Sequence, residues 1–259
     1  FFYFVLYYNS WNFFFTFTFR MYILLATGAL SVKKRGRIFG GDDAESSDFK
    51  YQVRVFVPSV YNNIVLSTCG GSVIHNKWIL TAAHCFHGSA IKNATVLLGQ
   101  DKNNLPTQVR NAIKVIIHKK YFRSKYQRLN DIALIKVEYV KYDKYIQKVL
   151  LSPIASFDGQ IVRVAGWGSI APTVIFPTML QYITLQVLNS TECNKILIRN
   201  IRRTQFCTCS PTQVTCGGDS GGAAVIGSGS TAVQVGLLSY GLSFCSPNTP
   251  DVYTRVKLM

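Results

Sequence analysis

The chain has 259 residues, which is enough for one globular domain or two small ones with a buried core. Charged residues make up only 15% of it and hydrophobic residues 48%, although 28 Lys and Arg against 12 Asp and Glu give a net charge of +16. This composition excludes a disordered chain and a mini-protein scaffold. Many Val, Ile, Tyr and Phe residues favour strands over helices.

The positive charge is spread along the chain, with concentrations at residues 110–148 and 195–203 that are interleaved with apolar residues. A strongly basic chain attracts nucleic acid, heparin-like polyanions or acidic membranes. Interleaving is typical of an ordinary solvated surface, so no specific nucleic-acid site is predicted. A polyanion-binding surface is the alternative.

The N-terminal segment, residues 1–30, is aromatic and apolar but is interrupted by polar residues. No uninterrupted apolar run reaches the roughly 18 residues that a membrane-spanning helix needs. A start at Met21 followed by the apolar residues 22–30 predicts a short signal peptide, with a membrane anchor as the alternative. Residues 31–37, SVKKRGR, form a basic stretch that is typical of a processing linker.

Short apolar or alternating runs, separated by Gly, Asn and Pro, recur beyond this linker and predict an all-β barrel or sandwich. The best helical signal is at residues 190–198, where Ser190 or Thr191 could cap the first turn. The predicted strands are residues 51–57, 64–67, 77–81, 94–98, 112–117, 132–137, 161–165, 180–187, 222–226 and 233–239.

The cysteines contain no CxxC pair and no paired Cys/His spacing of the zinc-site kind, which favours disulfides over a metal site. Asn93 and Asn189 begin sequons for N-glycosylation. Both features are compatible with an oxidising secretory pathway, so we expect a secreted, extracellular protein. The seven cysteines are Cys69, Cys85, Cys193, Cys207, Cys209, Cys216 and Cys245.

Three motifs together supply the residues of a nucleophilic catalytic site: TAAHC at 81–85, NDIAL at 130–134 and CGGDSGG at 216–222. A serine hydroxyl is a poor nucleophile until an imidazole accepts its proton, and the imidazole needs a carboxylate to fix its tautomer. Ser220, His84 and Asp131 fill these three roles. The joint occurrence is far more specific than any one residue.

The glycines beside the serine have a separate purpose, because the backbone must point free N–H groups at an oxygen that becomes negative during acyl transfer. We expect Gly218 and Ser220 to form this oxyanion hole. The remaining histidines His75, His87 and His118 are interpreted as structural.

These motifs resemble the chymotrypsin-like, or trypsin-family, serine proteases, whose triad runs in the same order of His, Asp and Ser. The resemblance covers residues 38–256 and adds CGGS at 69–72, GWG at 166–168 and PDVYT at 250–254. It implies an endopeptidase that cleaves proteins or peptides through an acyl-enzyme, without a cofactor.

The resemblance also implies the architecture. It predicts two six-stranded antiparallel β-barrels, residues 38–145 and 146–259, with the active site in the cleft between them and few short helices. A monomer is expected. The family's C-terminal helix has no counterpart before Met259, which suggests either a truncated sequence or reduced stability.

Activation by an upstream protease follows from the same resemblance. Cleavage after Arg37 would free the ammonium of Ile38, which inserts and pairs with Asp219. A buried charge is unfavourable without a partner, so the oxyanion loop should be poorly formed before cleavage.

Three disulfides are implied by the family pattern: Cys69–Cys85, Cys193–Cys207 and Cys216–Cys245. Cys209 is left over and is interpreted as a buried free thiol, an intermolecular link or a sequence error. Another family disulfide is absent. Val162 and Ile226 occupy its two positions, so neither end leaves an unpaired thiol.

The family's calcium-binding loop should fall near residues 100–106, but Gln100 replaces the first carboxylate and Lys102 adds a positive charge. A hard cation needs several oxygen ligands, preferably anionic. We therefore predict no metal.

The specificity pocket departs from the trypsin pattern. Val214 stands where a trypsin-type floor has Asp, and Asp251 stands on the pocket wall, where the family generally has Gly. Thr215 is expected in the same pocket. The resemblance predicts mixed specificity, for apolar side chains against Val214 and for Arg or Lys reaching Asp251.

Substrate backbone is expected to pair as an added strand with Ser239, Tyr240 and Gly241. The rival interpretation is a noncatalytic protease homologue that binds a partner, a protein inhibitor or a polyanion through the basic surface. An intact triad favours the enzyme.

Overall fold

A computed structural model describes residues 40–45, 47–58, 65–87, 93–100, 103–169, 177–242 and 246–259. The predicted leader, the predicted linker with Arg37, the predicted new N-terminus Ile38 and the cysteine Cys245 lie outside the described residues. All described residues belong to one compact unit. No helix among them is long and apolar enough to cross a bilayer.

The predicted all-β class is confirmed, because strands dominate the described chain and one α-helix, α1 (Ser190–Leu197), accompanies them. The strands are β1 (Asp42–Asp43), β2 (Gln52–Pro58), β3 (Val65–His75), β4 (Trp78–Thr81), β5 (Thr95–Leu98), β6 (Gln108–Ile117), β7 (Phe122–Arg123), β8 (Arg128–Leu129), β9 (Ala133–Val137), β10 (Leu150–Leu151), β11 (Ile161–Gly166), β12 (Gln181–Leu188), β13 (Gln205–Thr208), β14 (Ala223–Ile226), β15 (Val233–Gly241) and β16 (Asp251–Arg255).

The first barrel closes in the order β2-β3-β4-β9-β6-β5, with every neighbouring pair antiparallel. Inward residues alternate along the strands, as a sheet with one buried face requires. Val53, Val55, Ile79 and Ile135 are fully buried in its core. The end of the chain contributes too, since Val256 packs into this cluster.

The second barrel follows the order β12-β11-β14-β15-β16-β13 and closes where β13 pairs with β12. Phe206 stacks on Tyr253 with ring centroids 4.8 Å apart, and Phe157 meets Phe206 edge-on. Two short strands extend this barrel: β1 pairs with β12, and β10 runs parallel to β15. The predicted pair of six-stranded barrels is therefore present.

All ten predicted strands overlap an observed one, but β13, β16 and the four two-residue strands β1, β7, β8 and β10 were missed. Strands β13 and β16 are buried at every position, so they lack the alternation of polar and apolar residues that marks a strand in a sequence. The prediction for residues 64–67 captured only the start of β3.

The start of α1 corrects the predicted cap. Asn189, rather than Ser190 or Thr191, is the N-cap, and its side chain accepts a hydrogen bond from the Glu192 backbone N–H at 2.9 Å. Ile198 adopts a left-handed conformation and ends the helix. Asparagine is a strong N-cap residue because its side-chain oxygen accepts from a free N–H of the first turn.

The structure contains the predicted disulfides Cys69–Cys85 and Cys193–Cys207. Cys209 is a free, half-buried thiol. The predicted pairing of Cys216 with Cys245 involves a residue outside the described chain and stays a prediction. Val162 and Ile226 pack in the core of the second barrel.

Candidate active site

His84 and Asp131 are brought together by two loops of the first barrel. His84 lies in a 3₁₀ turn directly after β4, and the Cys69–Cys85 disulfide ties this turn to β3. Asp131 precedes β9 and follows Asn130, whose φ of 49° lies in the left-handed region that asparagine tolerates. The disulfide therefore constrains the His84 turn, and the left-handed Asn130 sets the turn that leads into Asp131.

The His84 ring is oriented by this aspartate. Its Nδ1 atom lies 2.7 Å from Asp131 Oδ2, and the His84 backbone N–H donates to Asp131 Oδ1 at 2.8 Å. The Ser239 hydroxyl also donates to Asp131 Oδ2. The side chain of Asp131 is fully buried, whereas that of His84 keeps 11% exposure. This arrangement leaves His84 Nε2 as the nitrogen available for proton transfer.

The partners of Asp131 also set its charge. Burial by itself raises the pKa of this carboxyl, but the hydrogen bonds from His84 and Ser239 and the attraction of the imidazole outweigh burial and hold the pKa below its ordinary value. Asp131 is thus ionised at neutral pH and accepts, rather than donates, in its hydrogen bond with His84.

The loop that carries Ser220 is attached to the first barrel, although its strands belong to the second. Gly70 N–H on β3 donates to the Ser220 carbonyl at 2.8 Å, and Thr81 Oγ1 donates to the Gly70 carbonyl at 2.8 Å. Thr81 ends β4, three residues before His84. The bonds connect the serine loop to the strand end that carries the histidine.

Two backbone donors in the serine loop remain available. Gly218 has a φ of 104°, a conformation that glycine adopts readily, and the intervening Asp219 N–H donates to the Cys216 carbonyl. Within the described chain, neither the Gly218 N–H nor the Ser220 N–H donates a hydrogen bond. These are the two groups predicted for the oxyanion hole.

Asp219 is buried beneath this loop and is held by backbone donors. The Gly168 N–H donates to Oδ1 at 2.8 Å and the Cys216 N–H to Oδ2 at 2.9 Å. A Cβ on Gly168 would come within 2.4 Å of the carboxylate, so the GWG motif is required for this approach. Burial raises the pKa of Asp219 to about 6, against these hydrogen bonds and the charge of Arg54.

A cavity of about 200 Å³ opens beside Ser220, and we call it the Asp251 cavity. Asp251 and Thr215, two of the residues predicted for the specificity pocket, are among its lining residues. Val214, the predicted floor, is 2% exposed and is not among the described lining residues. The other described residues that line the Asp251 cavity are Arg128, Cys216, Gly217, Leu238, Tyr240, Gly241 and Leu242.

Asp251 is almost completely buried, with 4% exposure. Its Oδ2 accepts the Thr215 backbone N–H at 3.1 Å. Burial raises the pKa of Asp251 to about 7, and the charge of Asp219 adds to the rise, because the hydrogen bonds from Thr215 are too few to offset desolvation.

The predicted substrate-pairing segment lies at the end of β15. Tyr240 and Gly241 line the Asp251 cavity, whereas Ser239 is fully buried. The Ser239 carbonyl accepts a hydrogen bond from the Arg128 guanidinium, a residue that sequence reasoning missed. In the sequence, Arg128 was marked only by its position in the basic stretch 110–148, three residues before Asp131.

His75, His118 and Gln100 are not among the described residues that line the Asp251 cavity. The Nδ1 atoms of His75 and His118 each accept the backbone N–H two residues later. His87 lines a larger groove next to the Asp251 cavity. Gln100 Nε2 donates to Asn104 Oδ1 at 3.0 Å and to the Thr178 carbonyl at 3.2 Å.

Cys69, His84 and Cys85 bring their ligand atoms within 4.8 Å of one another, which is close enough to suggest a metal site. The two sulfurs are joined in a disulfide, so neither is a thiolate that could bind a metal. This cluster belongs to the scaffold of His84.

Two β-barrels, one with the histidine–aspartate pair and the other with the glycine-rich serine loop, define the class of chymotrypsin-like serine proteases. A sequence model of the family described as Trypsin matches residues 38–259. The chain belongs to this family and is a serine endopeptidase.

Two relatives illustrate the similarity. Chymotrypsin-2 of Vespa crabro is 35% identical over 223 residues, which is 85% of this chain and 94% of the relative. Serine protease SP24D of Anopheles gambiae is 30% identical over 225 residues, which is 85% of this chain and 77% of that protein.

Proposed function

We propose that the protein is a secreted serine endopeptidase zymogen that is activated by cleavage after Arg37 and has mixed apolar and basic specificity. The observation that carries the proposal is the pairing of His84 with the buried, ionised Asp131, next to a serine loop with two available N–H donors.

The chemistry divides among the three triad residues. Ser220 Oγ attacks the scissile carbonyl while His84 Nε2 accepts the hydroxyl proton. Asp131 holds the Nδ1–H tautomer and stabilises the imidazolium. His84 then gives the proton to the departing amine, which leaves an acyl ester on Ser220. Water, deprotonated by His84, hydrolyses that ester and restores the serine.

Charge on the reacting oxygen is stabilised by backbone dipoles. The N–H groups of Gly218 and Ser220 would donate to the oxyanion of each tetrahedral intermediate. Because neither group has a hydrogen-bond partner in the described chain, no bond must break before they act.

Activation would depend on the buried Asp219. Its described hydrogen bonds come from neutral backbone groups, and its pKa of about 6 shows that ionisation is costly there. The ammonium of Ile38, freed by cleavage after Arg37, would supply a compensating charge. An activating protease is therefore a proposed partner.

The proposed specificity follows from the Asp251 cavity. Its wall offers the carboxyl of Asp251 together with apolar surface from Leu238 and Leu242. A Lys or Arg side chain could pair with the carboxylate while its stem contacts the wall, and a Leu, Phe or Tyr side chain could enter with Asp251 protonated.

Secretion is proposed from the apolar leader, the two disulfides and the sequons. Asn93 and Asn189 are both exposed, as glycosylation requires. Protein inhibitors and polyanions are further proposed partners, through the active-site cleft and the basic surface respectively.

The test compares wild type with Ser220→Ala after both full-length chains are cleaved after Arg37. Peptide hydrolysis by wild type alone supports the enzyme. Equal hydrolysis by both would show that the activity does not depend on Ser220 and would remove the proposed mechanism. No hydrolysis by either, despite verified folding and cleavage, would favour the noncatalytic homologue.

A further inference from the structure

A larger cavity, of about 870 Å³, continues from the Asp251 cavity along the end of β15. The two cavities share Arg128, Tyr240, Gly241 and Leu242. We call the larger one the basic groove, because its described lining contains no Asp or Glu. The described basic residues that line it are His87, Arg123, Lys125, Arg128 and Arg199.

The guanidinium groups of two of these arginines lie near Tyr240, a residue of the predicted substrate strand. The guanidinium of Arg128 lies 5.8 Å from the ring centroid of Tyr240, and that of Arg199 lies 5.5 Å from it. Neither belongs to any of the three described salt bridges. Arg199 Nε is buried and has no hydrogen-bond partner in the described chain. No carboxylate in the described lining of the groove therefore balances this positive charge.

Arg128 has a specific effect on the substrate strand. It donates to the Ser239 carbonyl, the acceptor that an added strand would need next to the reacting bond. The carboxylate that attracts Arg128 is Asp131, which is already held by His84 and Ser239. Burial also lowers the pKa of Arg128, which marks its charge as incompletely compensated.

We propose that the basic groove binds acidic side chains that precede the scissile bond of the substrate. The inference rests on the proposed endopeptidase function and names the substrate class of the same site. A carboxylate in the groove pairs with Arg128 and Arg199 and draws Arg128 away from Ser239. The freed carbonyl then accepts the substrate N–H, so the acidic residue assists alignment as well as binding.

An acidic peptide fits the groove better than a sulfated polysaccharide does, because the cations gather around the strand that would hold a peptide. The groove also opens directly into the cavity that holds Ser220 and Asp251. A polysaccharide has no backbone N–H to pair with Ser239.

The kinetic test uses peptide pairs that differ only by Glu or Gln at the second, third or fourth residue before the cleaved bond. We expect wild type to prefer Glu at one of these positions by about fivefold to tenfold in kcat/KM, with a smaller ratio at high salt. Arg128→Gln and Arg199→Gln should each reduce the ratio. Arg128→Gln should also raise kcat/KM for the Gln peptide, since Ser239 is then unblocked.

Arg203→Gln is the matched control, because Arg203 is exposed and lines a different depression. It removes the same charge and should leave the Glu/Gln ratio unchanged. An equal ratio in wild type and both groove variants overturns the proposal while leaving the endopeptidase intact.

A binding measurement tests the groove proposal separately from the proposed endopeptidase activity. Full-length Ser220→Ala, cleaved after Arg37, should bind the Glu peptide more tightly than the Gln peptide, and Arg199→Gln in that background should remove the difference. That result supports the groove even when wild type hydrolyses nothing. Equal peptide binding, together with heparin-oligosaccharide binding that depends on Arg199, would make the groove a polyanion site and overturn the proposal.

Discussion

Asp131 and Asp251 are two aspartates buried to nearly the same extent, yet their environments shift their pKa values in opposite directions. Asp131 receives donors from His84 and Ser239, and its pKa is lowered. The described hydrogen bonds to Asp251 come from Thr215, and burial raises the pKa of Asp251 to about 7. The comparison teaches that burial alone does not set a carboxyl's charge; the number of donors and opposite charges around it does.

Asp219 provides an intermediate case. It is as buried as Asp131 and has two backbone donors, but its pKa is about 6 because no described ion pair compensates for desolvation. The Asp131 carboxyl is therefore ionised at neutral pH by its own surroundings, whereas burial raises the pH at which Asp219 and Asp251 ionise.

The largest expected effect is at Asp131. Asp131→Asn should lower kcat by about 10⁴, because the amide keeps the contact but favours the wrong His84 tautomer. Steady-state kinetics on the cleaved enzyme measures this loss. Ser239→Ala removes one donor without changing the charge and should lose far less. A similar loss in both variants would contradict the role given to the Asp131 charge.

Asp219→Asn should lower kcat by roughly 10²-fold even after cleavage at Arg37, since the ion pair with Ile38 and the oxyanion donors depend on it. Active-site titration with a serine-reactive inhibitor measures the competent fraction. The matched variant Arg37→Gln should remain folded and uncleaved, with similarly low activity. Full activity of uncleaved protein would rule out the proposed switch.

Asp251 should weaken the fold above neutral pH. Its pKa rises from 3.8 to about 7 on folding, so the stability due to its protonated form is complete below pH 3.8 and is lost as the pH rises through 7. In a Ser220→Ala background, Asp251→Asn should raise the free energy of unfolding by about 2 kcal/mol at pH 8. Denaturant unfolding at pH 4 and pH 8 measures the difference, and an equal change at both pH values would contradict it.

The smallest effect concerns specificity. The ratio of kcat/KM for Arg peptides to that for Leu peptides should rise as the pH passes 7, because Asp251 then becomes a carboxylate. The rise should reach about tenfold if the charge pair is worth about 1.4 kcal/mol. Asp251→Asn should flatten the profile. A wild-type ratio that does not change with pH would show that Asp251 does not meet the substrate.

Much of this site was predictable because its residue types follow from chemistry. His84, Asp131 and Ser220 each sit in a motif whose neighbours have a separate function, such as the disulfide at Cys85 or the donor at Gly218. The strands of the first barrel were predictable for another reason, since their alternation records a single buried face.

Other features carried no local signal. Asp251 was placed in the pocket by resemblance, but its burial and raised pKa depend on packing around β16. The N-cap at Asn189 was missed because Ser190 and Thr191 are also good caps and only the backbone path selects one. Val214 was expected at the floor, and the structure places it in the buried interior.

The sequence by itself determined the family and the all-β class and named the candidate triad, because motif chemistry and strand periodicity are properties of neighbouring residues. Only the tertiary structure decided how β1 joins the second barrel, how Arg128 reaches a carbonyl 111 residues away, and which cations surround Tyr240. Those contacts are set by barrel closure, which brings distant segments together. The local sequence of one segment does not indicate which other segment it will contact.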